Sequence, residues 1–115
     1  MKSLAIQSLP PESEAALKKV GKGIRRARVR RDMTQEELGL RAMVSRKTIS
    51  NLENGSPEVS MGILLQVLHV LGMHDQFAQL AAPEADETGK ALEERKLPAR
   101  AHAPKRLADM IRKKK

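Results

Sequence analysis

The chain has 115 residues and a formal net charge of +8, with one Phe, no Tyr, no Trp and no Cys. That length suits one small domain with tails. The missing cysteines exclude a disulfide framework and any Cys-based metal site or nucleophile, and the near absence of aromatics argues against base stacking on single strands. A pI of about 10.2 points to an anionic partner, either nucleic acid or an acidic protein surface.

The positive charge is shared along the chain. Residues 1–82 hold 12 Lys and Arg against 8 Asp and Glu, and residues 83–115 hold 10 against 6. The opening MKSLAIQSLPPESE has no long apolar run, so no signal peptide is expected. No stretch approaches the roughly 18 apolar residues of a membrane span. A cytoplasmic, nucleoid-associated protein is the expectation.

Residues 1–11 end in Pro10-Pro11 and read as an N-terminal arm. From Pro11 the sequence PESEAALKKVGKGIRRARVRR is helical, with Glu12 and Glu14 where the helix dipole favours acid. Leu17, Val20, Ile24 and Ala27 recur at spacings of three and four and predict one buried stripe. Lys18, Lys19, Lys22, Arg25, Arg26 and Arg30 occupy much of the remaining surface. Gly21 and Gly23 each weaken the middle of this helix by roughly 1 kcal/mol relative to Ala.

Thr34 and Glu37 form a capping box for a short helix over 35–42, with Leu38 and Ala42 on one face. Ser45 caps the next helix, 46–53, with Ile49 and Leu52 inward and Asn54-Gly55 as its stop. Ser60 caps a fourth helix with Leu64, Leu65, Leu68 and Leu71 inward, ending at Gly72. A fifth runs from about His74 to Leu80, with Phe77 and Leu80 inward. Pro83 ends it. The sequence therefore predicts an all-α, compact five-helix domain over 12–82 and a flexible basic tail over 83–115. Within that tail, Ala91 to Lys96 can form a helical turn or two, and Leu107, Met110 and Ile111 are at helical spacing.

Two short helices on a tight turn, the second rich in exposed Arg, Lys, Ser and Asn, make a helix-turn-helix pattern. Such a second helix can enter the major groove. Arg46 and Lys47 in its first turn can donate to guanine O6 and N7, and Asn51 can pair with adenine. Gln35 opens the preceding helix, where outward N–H groups can hold a phosphate. Ser45 and Ser50 are small donors that fit near bases or phosphates. The expected base contacts are Arg46, Lys47 and Asn51; the expected phosphate contacts are Thr34, Gln35, Ser45 and Ser50.

The segment TQEELGLRAMVSRKTISNLENG resembles the Cro/C1-type helix-turn-helix, or XRE, family through Thr34, Gln35, Leu38, Val44, Ser45, Ile49, Ser50, Leu52, Glu53 and Gly55. The resemblance covers roughly residues 17–81. It implies a lambda repressor-like bundle that binds operator DNA as a two-fold homodimer, and a buried ion pair between Arg28 and Glu53. The family pattern usually has glycine where Met43 stands, in a left-handed conformation, and Ala where Gly39 stands. Packing of the Met43 side chain can offset the cost of the missing glycine.

The downstream run is similar to HipB-like antitoxins, through Leu71-Gly72, Asp75, Leu80-Ala81, Pro83 and the segment Ala91 to Pro98. This implies an autorepressor that binds and restrains a HipA-like serine/threonine kinase toxin. A stand-alone XRE-family regulator is the alternative. The run 105–115 reads equally as a DNA arm or a solubilising tail; a toxin-docking helix is a third reading, supported only by Leu107, Met110 and Ile111.

No enzyme signature is present: no Gly-rich phosphate loop and no HExxH. His69 and His74 are five apart with no further ligand nearby, so no metal site and no cofactor are expected.

Overall fold

The computed structural model describes residues 3–101, with side chains through Lys96. The helical spacing at Leu107, Met110 and Ile111, and the basic run 105–115, lie outside the described residues. The described residues form seven α-helices: α1 (Leu4–Gln7), α2 (Pro11–Arg30), α3 (Gln35–Ala42), α4 (Arg46–Glu53), α5 (Met61–Val70), α6 (His74–Ala78) and α7 (Glu87–Ala101), with a 3-10 turn at Pro83–Ala85. No strand occurs among them. Helices α2 to α6 fall on the five segments marked out by periodicity and caps. The other two are additions to the five-helix expectation. Helix α1 lies within the expected arm, and α7 is longer than the turn or two anticipated at Ala91 to Lys96.

Both additions have local causes. Ser3 caps α1 by accepting from the Ile6 N–H at 3.2 Å. Asp86 caps α7: its carboxylate accepts from Gly89 N–H at 2.9 Å, and its carbonyl accepts from Lys90 N–H at 2.9 Å. The residues that follow, Lys90 to Lys96, are good helix formers apart from exposure of Leu92.

The chain divides into two units, Met1–Ala78 and Gln79–Lys115. The first holds the core: Ile24 and Ala27 from α2, Leu38 and Ala42 from α3, Ile49 and Leu52 from α4, Val67 and Leu68 from α5 with Leu71 at its C-cap, and Met33 from the loop after α2. Phe77, the lone aromatic, packs half-buried against it. In the second unit the 3-10 turn packs on α7.

The buried face of α2 differs from the expected stripe. Val20 is 47% exposed, and the face consists of Gly21, Ile24, Ala27 and Arg28. The stripe turns because Gly21 has no side chain: α2 presses there against the backbone of α4, where a Cβ would sit 2.5 Å from the Glu53 carbonyl oxygen. In α5 the fully buried residue is Val67, while Leu65 is exposed. MGILLQVLHV is apolar nearly all round, so its periodicity does not single out the inner face. Leu80 lies beyond α6 and is also exposed, contrary to the expectation that it faces inward.

Four helix ends stop in the same way. After α2, α3, α4 and α5, the residue at the turn takes a left-handed φ: Asp32 at 55°, Met43 at 62°, Gly55 at 80° and Gly72 at 77°. At each, the next residue's N–H reaches back to a carbonyl five positions earlier, as in Met33 to Arg28 at 3.2 Å and Val44 to Gly39 at 2.9 Å. This is the Schellman arrangement, which satisfies carbonyls left free at a helix end. Asp tolerates the left-handed region better than most side chains. Met has no such advantage.

The Met43 side chain is 85% exposed, so packing within the chain does not offset the strain. What holds the turn is its neighbours. Val44 packs against the core. Ser45 caps α4, its hydroxyl accepting from Thr48 N–H at 3.0 Å. Gly39 lets the turn fold back over α3, since a Cβ there would lie 2.8 Å from the Val44 carbonyl oxygen. Met43→Gly should therefore stabilise the protein by up to about 1 kcal/mol, the left-handed penalty being partly offset by glycine's greater unfolded-state freedom. Urea denaturation measures it; a loss of stability would show that the exposed Met side chain makes a contact that supports the turn.

Candidate functional site

Helix α4 buries Ile49, Leu52 and Glu53. Lys47 and Asn51, four apart, project from the opposite face and are exposed. Arg46 is exposed at the start of the helix, Ser50 is half-buried on its flank, and Ser45 stands at the cap. Sequence register thus places the three expected base readers on one accessible end and side of a short helix, and the structure keeps them free of the core.

Thr34 caps α3 in the reciprocal manner expected: its Oγ1 accepts from Glu37 N–H at 3.0 Å and Glu37 Oε1 accepts from Thr34 N–H at 2.8 Å. Gln35 is the first residue of α3, where the backbone N–H has no acceptor within the helix. The N-terminus of α3 and the outer side of α4 are therefore both available to one anionic surface.

The expected pair, Arg28 and Glu53, is present and is part of a larger network. Arg28 Nε donates to Glu53 Oε2 at 2.6 Å and Nη2 donates to Oε1 at 3.0 Å, a two-point contact. Arg28 Nη1 also donates to the Met33 carbonyl at 2.8 Å. Both side chains are buried, with 10% and 2% of their surface exposed. The hydrogen bond to Glu53 raises the Arg28 pKa above its ordinary value, against the opposing effect of burial.

Gln35 extends this network. Its Nε2 donates to Glu53 Oε1 at 3.0 Å, and its Oε1 accepts from Arg46 Nη1 at 3.3 Å. A continuous chain runs Arg28–Glu53–Gln35–Arg46. It joins α2 to the last residue of α4, then to the first residue of α3, then back to the first residue of α4. Sequence reasoning assigned Gln35 a phosphate role and did not find this link. No periodicity reports a contact between residues 18 apart, and capping rules describe neighbours only.

His69 and His74 lie with ring centroids 5.2 Å apart, tilted by 51°. Among the described residues, no group of three or more His, Cys, Asp or Glu is placed to hold a metal ion. No helix among them is long and apolar enough to cross a membrane.

Residues 24–76 match a family described as Helix-turn-helix. That span holds the C-terminal third of α2, all of α3, α4 and α5, and the start of α6. No curated protein matches the chain.

Proposed function

We propose that the protein is a homodimeric, sequence-specific DNA-binding repressor and the antitoxin of a HipA-like kinase toxin, a reading supported by the match of residues 24–76 to a helix-turn-helix family. The observation that carries the DNA reading is the exposed face of α4, with Arg46, Lys47 and Asn51 on a helix clamped from behind by Arg28 and Glu53. Arg46 and Lys47 donate to guanine, and Asn51 pairs with adenine. Thr34, Gln35, Ser45 and Ser50 contact phosphates and fix the register of the helix on the duplex. Two protomers place their α4 helices about 34 Å apart on a near-palindromic site.

A site recovered by selection from random duplexes tests this. It should be near-palindromic, and binding should weaken steeply with salt; a flat salt response would sink the DNA reading. Arg46→Ala should cost on the order of 1–3 kcal/mol and relax the preference at one base pair. An equal loss on every sequence would reassign Arg46 to a phosphate.

The antitoxin role rests on the similarity of residues 60–100 to HipB-like proteins. In that role the protein represses its own operon in the cytoplasm and holds the kinase inactive. Co-expression with a HipA-type kinase encoded beside it should yield a co-purifying complex with suppressed kinase activity. Separate elution with an active kinase would leave a stand-alone regulator.

A further inference from the structure

Helix α2 carries an ordered row of charge that the α4 face does not use. Lys18, Lys22, Arg26 and Arg30 follow one another at four-residue intervals, so they stack along one side of the helix. All four are exposed, and among the described residues none makes a salt bridge or side-chain hydrogen bond. Lys22, Arg26 and Arg30, with Arg25 and Val29, line a shallow depression of ≈ 560 Å³.

The row starts beside the end of α4, where Lys18 packs against Gly55, and turns away from α4 through Lys22, Arg26 and Arg30. The opposite flank of α2 is the buried one, and Gly21 on that flank abuts the backbone of Leu52 and Glu53. With each helix about 10 Å across, Lys22, Arg26 and Arg30 are about 20 Å from the outer face of α4, on the opposite side of the helix pair. A straight duplex seated on Arg46, Lys47 and Asn51 does not reach it.

Like charges at i,i+4 destabilise a helix, and here three such pairs run in series. A polyanion laid along the row relieves that repulsion. The row spans about 18 Å with a cation every 6 Å or so, the length of about five phosphates of one strand at ~3.4 Å each. Protein interfaces rely on central aromatic or apolar anchors. The depression offers only Val29, which favours a phosphate backbone over an acidic protein surface.

We propose that this row is a second, sequence-independent duplex-binding surface, which holds the backbone of a DNA segment other than the one read by α4. The inference goes beyond operator reading and stands or falls separately from it.

The test uses the full chain and a mixed-sequence 30-base-pair duplex, with affinity read by anisotropy across salt concentrations. The row variant combines Lys18→Gln, Lys22→Gln, Arg26→Gln and Arg30→Gln; the reading variant combines Arg46→Ala, Lys47→Ala and Asn51→Ala. Each phosphate contact contributes about 0.9 to the salt slope, so losing four should flatten it by roughly 3 to 4. A tethered duplex should capture a second, labelled duplex through the wild-type protein and not through the row variant. The reading variant should lose selected-site preference, a result independent of the row. An unchanged slope and unchanged capture in the row variant would overturn the proposal. So would tighter row-dependent binding to polyglutamate than to the duplex at equal salt. Lys22→Glu separates binding from folding: it should raise the melting temperature, by converting repulsive pairs to attractive ones, while weakening duplex binding. A lowered melting temperature together with unchanged duplex affinity would overturn the proposal.

Discussion

Glu53→Ala should destabilise the protein by about 3–5 kcal/mol, the range for removing one partner of a buried ion pair. The physical reason is what remains behind. The Arg28 guanidinium stays charged and buried with two of its donors unpaired, and the Gln35 amide loses its acceptor. A domain of this size has only about 5–10 kcal/mol of stability. The melting temperature should fall by at least about 12 °C. The informative companion is the double variant Arg28→Met with Glu53→Leu. It removes both charges together and should recover most of the lost stability, since a buried pair is often replaceable by apolar residues of similar volume.

Recovery of stability should not restore DNA binding. In the double variant Gln35 has no carboxylate to hold it, and Arg46 loses a partner of fixed position. Duplex affinity should then drop at least about tenfold, or 1.4 kcal/mol. The two readouts, urea denaturation and anisotropy on a selected site, separate pose from stability. A double variant that is stable and binds like wild type would show that the network contributes nothing to the placement of α4.

The parts of this site that the sequence made legible are local ones. Caps act within three or four residues, so Thr34, Ser45 and Ser60 could be placed from their neighbours alone. Leu38, Ala42, Ile49 and Leu52 sit at helical spacing and are buried as expected. Periodicity failed where a helix is apolar on every side, as in α5, and where backbone rather than side chain makes the contact, as at Gly21. The Asp86 cap of α7 is not legible from amphipathic spacing, because the segment it opens has few large apolar residues. The link from Gln35 to Glu53 needs the fold before it can be seen. At Met43 the sequence marked a turn without glycine; the structure shows the left-handed turn in place, with Gly39 clearing its path.

Gly21 and Gly23 invite the same substitution with opposite results. Both lie inside α2, where alanine improves helix propensity by about 1 kcal/mol. Around Gly23 no atom lies within 4 Å of an added Cβ, so Gly23→Ala should stabilise the protein by about 0.5–1 kcal/mol. At Gly21 the added Cβ meets the Glu53 carbonyl oxygen at 2.5 Å, the Leu52 carbonyl oxygen at 2.7 Å and the Glu53 carbonyl carbon at 2.8 Å. These are backbone atoms at the end of α4, so no side-chain rotation relieves the overlap. The helices must separate, and separation stretches the Arg28 to Glu53 contact two turns further along α2. Gly55 tightens the same contact, since a Cβ on it would lie 2.8 Å from the Lys18 Cα. Overpacking costs typically 1–3 kcal/mol and more where backbone must move. Gly21→Ala should therefore lower stability by about 2 kcal/mol after its propensity gain, and Gly21→Val by more. Thermal melts of the two alanine variants decide the matter. If both raise the melting temperature, the close approach of α2 to α4 is not the constraint that positions the recognition helix.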